Sequence, residues 1–266
     1  MADKKIKVYM GIPSTGDRLD AQNYFLRRIE KKYADKIEFV YPDIFVGRIF
    51  HDFARNKYVE QFLASDCDIL WFLDSDILPP DRVIDLITEH GDKWDLAGAP
   101  YPVWMTVDGY EDKQVVFCVY RNKDGDKKLH AAKVPENGGT DFVEGMATGC
   151  IFIKRNVLEA MKKPYFEFKY SEDSREIMEG EDLGFCLKVN ELGFKFFTDF
   201  SMLCHHYKKI SLLDVSNFTQ FQVQQAIDAS DTILRRIIAK KKLEKMAAQA
   251  ARIEQAPKSR LIIPGR

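Results

Sequence analysis

No apolar run in the sequence approaches the roughly 20 residues needed to cross a bilayer. The opening "MADKKIKVYMGIP" has neither an apolar core of signal-peptide length nor a cleavage pattern, so a cytoplasmic protein without a transmembrane segment is expected. Net charge is nearly absent too: the formal value is −1, which leaves no global field to draw the chain to nucleic acid or anionic membrane. Cysteine is scarce and irregular. Cys67, Cys118, Cys150, Cys186 and Cys204 are odd in number, widely spaced and contain no C-x-x-C pair. That excludes a disulfide framework or a cysteine zinc site and favours small buried thiols. No G-x-G-x-x-G follows the first apolar segment, which counts against a dinucleotide-binding domain. Internal repeats and low-complexity linkers are lacking as well.

What is present alternates. "KIKVYMGIP" reads as a strand, and "STGDRLDAQNYFLRRIEKKY" as a helix with Leu19, Tyr24, Phe25 and Ile29 at helical spacing. "KIEFVYP" is a strand, and "IFHDFARNKYVEQFLAS" a helix with Phe50, Phe53, Tyr58 and Phe62 on its apolar face. "CDILWFLDSDI" is a nearly continuous apolar strand, as expected where both faces are covered. "PPDRVIDLITEHG" has the prolines of a helix start and Gly91 as a C-cap, and "DLAGAPYP" ends a further strand. This β-α-β-α-β-α-β order predicts a mostly parallel, doubly wound α/β sheet, whose ligands bind beyond the carboxyl ends of the strands.

The second half is less regular. "QVVFCVYRN" and "KKLHAAKV" predict a hairpin with Asp124-Gly125 in its turn, and "NGGTDF" a loop. "GCIFIKRNVLEAM" predicts a strand feeding a helix, "GEDLGFCLKVNELG" a helix ending at Gly193, and "FKFFTDFSMLCHHYK" an extended stretch. The expected division is a main domain over 1–211 and a basic helical extension over 212–266. Arg235, Arg236, Lys240, Lys241, Lys242 and Lys245 crowd that extension. It could pack on the domain or on a sister chain as a homo-oligomer contact, lie on anionic lipid, or meet a polyanion such as DNA; the first is favoured.

The chemistry concentrates in "WFLDSDILPP". Two aspartates at i and i+2 on a regular strand face opposite ways, so Asp74 and Asp76 act together only where the backbone turns. A close carboxylate pair repels itself unless a cation compensates, and hard oxygen ligands suit Mg²⁺ or Mn²⁺. The alternative is an N-cap and a solvated turn residue. Glu181 and Asp182 open a helix, where negative side chains are favoured in any case.

"FARNKYVEQFL", the strand ending in D-x-D, "ATGCIFIKRNVLEAM" and "GEDLGFCLKVNELGFKFFTDFSMLCHHYK" stand in an order that resembles the GT-A nucleotide-sugar glycosyltransferases. The nearest resemblance is to the family 2 type and the Anp1-like mannosyltransferases, over roughly residues 5–210. It implies a GT-A-like, Rossmann-related fold and a metal-dependent enzyme of hexosyltransferase type. The donor would be a nucleoside-diphosphate sugar, UDP-linked ahead of GDP-linked. The acceptor would be a hydroxyl on a glycan, protein, small molecule or DNA.

Residue by residue, the resemblance implies Asp76 as metal ligand, with Asp74 on the ribose, the metal or a water on it. It implies His206 as the histidine completing the metal shell, with His205 as its alternate. Asp182 would be the general base and Glu181 would hold the acceptor. Arg55 and Asn56 would face the nucleotide, the arginine pairing with phosphate or holding Asp74. Pro13, Ser14 and Thr15 would lie by the base, Thr148 and Gly149 would line the sugar pocket, and Trp104 could stack on an acceptor sugar. Anp1-like enzymes retain configuration and other relatives invert, so stereochemistry stays open. A nucleotidyltransferase, or a non-catalytic carbohydrate- or nucleic-acid-binding protein of the same fold, is the alternative. The former would need a phosphate loop for which "GIPSTGDRL" offers only Gly11, Gly16 and Arg18.

Overall fold

The computed structural model describes residues 4–13, 19–42, 50–105, 114–122, 129–172 and 177–208. The chain divides into compact units Met1–Lys208 and Lys209–Arg266. The second unit, with its basic cluster, lies outside the described residues, as do Ser14, Thr15, Asp124 and Gly125.

In chain order the first half runs β1 (Ile6–Gly11), α1 (Asp20–Lys32), β2 (Ile37–Val40), α2 (His51–Ala64), β3 (Ile69–Leu73) and β4 (Ile77–Leu78). A 3-10 turn at Asp81–Ile84 leads into α3 (Asp85–Thr88), and β5 (Leu96–Gly98) follows. Next come the short strands β6 (Pro102–Met105), β7 (Gln114–Phe117), β8 (Val119–Asn122), β9 (Leu129–Ala131), β10 (Thr140–Val143) and β11 (Gly145–Met146). The last part is β12 (Cys150–Lys154), α4 (Arg155–Ala160), β13 (Lys169–Tyr170), β14 (Ile177–Glu179), α5 (Glu181–Glu191), β15 (Phe196–Asp199) and β16 (His205–His206).

Seven strands form one sheet in the order β10-β15-β5-β12-β3-β1-β2. β2, β1, β3, β5 and β15 run one way, and β12 and β10 run against them. With helices on both faces, this is the mostly parallel, Rossmann-related, GT-A-like α/β architecture. β3 explains why its run is apolar without interruption. Ile69, Trp71 and Leu73 join the core on one face with Phe25, Ile29 and Phe152. Leu70 and Phe72 join the core on the other with Tyr58, Phe62 and Phe185. Alternate side chains of a strand point to opposite faces, so a strand covered twice must be apolar throughout. Trp71 is fully buried against Phe25, Phe39 and Phe152. Truncating such a residue to alanine costs about 3–5 kcal/mol.

Several expectations need correcting. α1 buries Gln22, Phe25, Leu26 and Ile29, and Tyr24 is 65% exposed. α2 buries Ala54, Arg55, Tyr58, Val59 and Phe62, so Phe50 and Phe53 fall off the core face. α3 stops at Thr88, and Gly91 serves another need: an added Cβ would lie 2.5 Å from the Ile87 carbonyl. The helix ending at Gly193 is observed: its φ is 80° and its N–H donates to the Asn190 carbonyl. The "QVVFCVYRN" run is two strands. β7 pairs with β6, and only β8 pairs with β9. Thr140–Val143, in the expected loop, is an edge strand of the main sheet because it finds a partner in Phe196–Asp199.

Candidate functional site

The carboxyl end of β3 is built to turn. The Asp74 N–H donates to the Gly149 carbonyl, and the Ile77 N–H to the Asp74 carbonyl. Gln22, fully buried on α1, donates from Nε2 to the carbonyls of both Asp74 and Ile77, at 2.8 Å each. That amide pins both ends of the D-S-D turn. The two carboxylates then find different cationic partners.

Asp74 turns toward α2. Arg55, 3% exposed, donates from Nη2 to Asp74 Oδ2 at 3.1 Å. Its Nη1 lies 3.5 Å from the Thr148 carbonyl, and its Nε lies 3.8 Å from Glu181 Oε1. Burial would lower the Arg55 pKa, but Asp74 and Glu181 outweigh it and hold the group cationic. One guanidinium therefore ties the end of β3 to the start of α5. Three buried polar atoms here have no hydrogen-bond partner: Arg55 Nε, Asp74 Oδ1 and Thr148 Oγ1. Buried polar atoms are nearly always satisfied, so three together mark a place made for something else.

Asp76 turns the other way. β4 pairs with β16, setting His206 opposite Ile77, and the Tyr207 N–H donates to the Asp76 carbonyl. His206 Nε2 lies 3.4 Å and Lys208 Nζ 2.6 Å from Asp76 Oδ2. Burial would raise the Asp76 carboxyl, but His206 and Lys208 bring it down to about 2. His206 Nδ1 is 2.7 Å from the Pro102 carbonyl, which can only accept, so Nδ1 carries the proton. Nε2 is then the nitrogen left to face Asp76. His205 is exposed and its ring lies near Tyr207.

Asp182 sits in the first turn of α5, where its Oδ1 accepts the Leu183 N–H at 2.9 Å. Burial and the neighbouring Glu181 push its carboxyl up to about 6, with Arg55 pulling the other way. The thiols and the tyrosine hydroxyl that feel it stay neutral. Burial pushes Cys118 up to about 12 and raises Tyr120 and Cys186, and the Asp182 charge adds to each. Glu181 also faces His51, whose Nδ1 is 3.9 Å from Oε1.

Gly149 is where backbone must come close. An added Cβ would stand 2.6 Å from Tyr101 Oη and 3.0 Å from Asp74 Oδ2. The Tyr101 hydroxyl, pushed well up by burial, accepts the Gly149 N–H at 3.0 Å, and its ring lies edge-on to His206. Tyr101 therefore links the Asp74 half of the site to the Asp76 half. Sequence reasoning passed over Tyr101, Gln22 and Lys208. The clue to Tyr101 was its place three residues beyond a strand end at the binding edge.

Asn56 does not join the cluster. Its amide donates to the carbonyls of Asp52 and Phe166, and its oxygen accepts the N–H groups of Tyr165 and Phe166. The expectation that it faces a nucleotide gives way to a strut between α2 and 165–166. Pro13 is half-buried beyond the end of β1. Trp104 lies on β6 opposite Val115, its side chain outside the described residues.

Among the described residues no three His, Cys, Asp or Glu side chains converge as a metal cage. Mg²⁺ and Mn²⁺ do not need one. They are held by one or two protein groups together with substrate phosphates and water. Asp76 Oδ2 and His206 Nε2, 3.4 Å apart, are close enough to serve as neighbouring ligands of one such ion. The donor set fits a hard divalent cation shared with a phosphate ligand.

No family model matches the sequence, and no curated protein matches it. Among solved structures, A197 from STIV is similar over 77% of this chain and 86% of its own, with 21% identity and a TM-score of 0.47. GalNAc-T7, crystallised with UDP, GalNAc and Mn²⁺, is similar over 79% of this chain at 12% identity and a TM-score of 0.40. This chain spans 45% of that chain. Likenesses of this degree carry no functional argument, and the fold class stands on the sheet topology itself. Among the described residues no helix is long and apolar enough to cross a membrane.

Proposed function

We propose that this chain is a metal-dependent glycosyltransferase related to the family 2 and Anp1-like types, moving a sugar from a nucleoside-diphosphate sugar to an acceptor hydroxyl. A UDP-linked donor is favoured over a GDP-linked one. The observation that carries the reading is the convergence of Asp76 Oδ2 and His206 Nε2 to 3.4 Å at the carboxyl end of the central strand. A raised carboxyl at Asp182 lies on the same edge. Together they provide a cation-binding pair and a base.

In this reading Asp76 and His206 hold Mn²⁺ or Mg²⁺. The cation, when bound, neutralises charge on the departing nucleoside diphosphate. Arg55 fixes Asp74, leaving Oδ1 for a ribose hydroxyl, and the same guanidinium sets Glu181 against the acceptor. Pro13, Ser14 and Thr15 lie toward the base, Thr148 and Gly149 toward the sugar, and Trp104 toward the acceptor. As the bond from the anomeric carbon to the diphosphate oxygen breaks, the acceptor oxygen bonds to that carbon. Asp182 takes the hydroxyl proton. A carboxyl poised near 6 is ionised at neutral pH yet basic enough to accept that proton. The rate should therefore fall as pH drops below about 6.

Incubation with UDP- and GDP-sugars plus Mn²⁺ tests the reading. Slow nucleoside-diphosphate release from one donor, lost in Asp182→Asn with donor binding kept, is the expected result. Pyrophosphate release from nucleoside triphosphates, or binding with no turnover of any donor, would contradict it.

A further inference from the structure

Lys208 places its ammonium on the oxygen that a cation would need. Nζ is 2.6 Å from Asp76 Oδ2, and the His206 Nε2 contact falls on that same oxygen. The approach is fixed by the backbone. Tyr207, next in line, donates its N–H to the Asp76 carbonyl at 2.9 Å, continuing the β4–β16 pairing. The Lys208 side chain is 60% exposed. An exposed ion pair of this kind is weak and exchangeable, whereas a divalent ion on Asp76 and His206 gains two ligands at once.

We propose that Lys208 is an exchangeable counter-cation: it occupies Asp76 in the free protein, yields that oxygen to the divalent ion, and then pairs with the phosphate of the nucleotide held there. The inference rests on the cation reading of Asp76 and His206 given above. Its physical basis is charge balance. A dication and an ammonium cannot share one carboxylate oxygen without repulsion, so one must leave. A displaced ammonium on a backbone fixed at Tyr207 stays within a side chain's length of Asp76. The diphosphate is the anion brought to that place by the metal.

The two halves carry opposite signs. In the full chain, Lys208→Met should tighten binding of Mn²⁺ alone by roughly threefold, because a competitor and a like charge are gone. The same variant should weaken binding of UDP at saturating Mn²⁺ by roughly threefold to tenfold, for loss of a charge-assisted contact. Lys208→Arg keeps the charge and should stay near wild type in both titrations. Calorimetric titration with Mn²⁺, then with UDP in excess Mn²⁺, reads each effect without any turnover. Lys208→Met binding Mn²⁺ no more tightly than wild type would overturn the inference, as would unchanged UDP affinity. Asp76→Asn separates this from failure of the underlying reading. Mn²⁺ binding abolished in Asp76→Asn but unaltered in Lys208→Met sinks only the role of Lys208. Mn²⁺ binding unaltered in both sinks the cation site, and the role of Lys208 with it.

Discussion

Strand β3 carries an arginine at each end, and the two are used in opposite ways. At its start Arg155 donates from Nε to the Cys67 carbonyl and from its terminal nitrogens to the carbonyls of Phe62, Leu63 and Ser65. These include the last carbonyls of α2, which have no partner within the helix. Its hydrogen bonds here are to main chain; the Phe62 ring and, at 3.6 Å, the Glu159 carboxylate complete its surroundings. At the far end Arg55 faces two carboxylates, and its Nε has no hydrogen bond. The saturated arginine is structural. The unsaturated one, beside an unpartnered Asp74 Oδ1 and Thr148 Oγ1, sits where stability has been left incomplete. A cavity of about 730 Å³ opens at the start of β3, lined in part by Asp68, Glu89, Asp92 and Arg155. It shows no such group of unsatisfied atoms.

Variants can break or sharpen that contrast. Arg55→Met should have the largest effect, about 3–5 kcal/mol of stability, since it leaves Asp74 and Glu181 without their buried counter-charge. Adding Asp74→Asn should recover part of the loss, with a coupling of about 1–2 kcal/mol in a double-mutant cycle by chemical denaturation. Arg155→Met should cost about 2–3 kcal/mol by orphaning several carbonyls. No single carboxylate removal should rescue it, and its Mn²⁺ and UDP titrations should match wild type. Weakened ligand binding in Arg155→Met would erase the distinction between the two ends.

Gly149→Ala should cost about 1–3 kcal/mol, because its Cβ collides with Tyr101 and crowds Asp74. UDP affinity should fall with it, as measured by calorimetry. The smallest effect is a gain. The Asp182 carboxyl is raised in the fold from 3.8 to about 6, so folding favours its protonated form. The wild type therefore loses stability as pH rises through that window and stays lower above it. Asp182→Asn should match the wild type near pH 4 and exceed it by about 1–2 kcal/mol at pH 8, read from denaturation midpoints at the two pH values.

How much of this could be read from the sequence depended on whether the signal was local. β3 was legible because a strand covered on both faces must be apolar at every position, and Asp74 and Asp76 stood out against that run. The edge strand Thr140–Val143 was not, because glycines and an aspartate read as a loop until Phe196–Asp199 supplies a partner far along the chain. Phe50 and Phe53 misled because a helix can hold aromatics off its core stripe, while Arg55 took a core position reserved by default for apolar residues. The pairing of Asp76 with His206 had no local sign and was raised only by family resemblance. The distinction between His205 and His206 came from the β4–β16 register, which turns one ring toward Asp76 and leaves the other exposed. Gln22 and Lys208 were invisible for a related reason. A polar residue on a helix or in a loop reads as surface until tertiary structure buries it or brings it to a charge.

The most direct test is a crystal of the full chain soaked with MnCl₂ and UDP, with anomalous scattering collected at the manganese edge. The account predicts a peak within about 2.3 Å of Asp76 Oδ2 and His206 Nε2, with the UDP diphosphate on its far side. A manganese peak elsewhere, or ordered UDP with Lys208 still seated on Asp76 and no metal beside it, would contradict it.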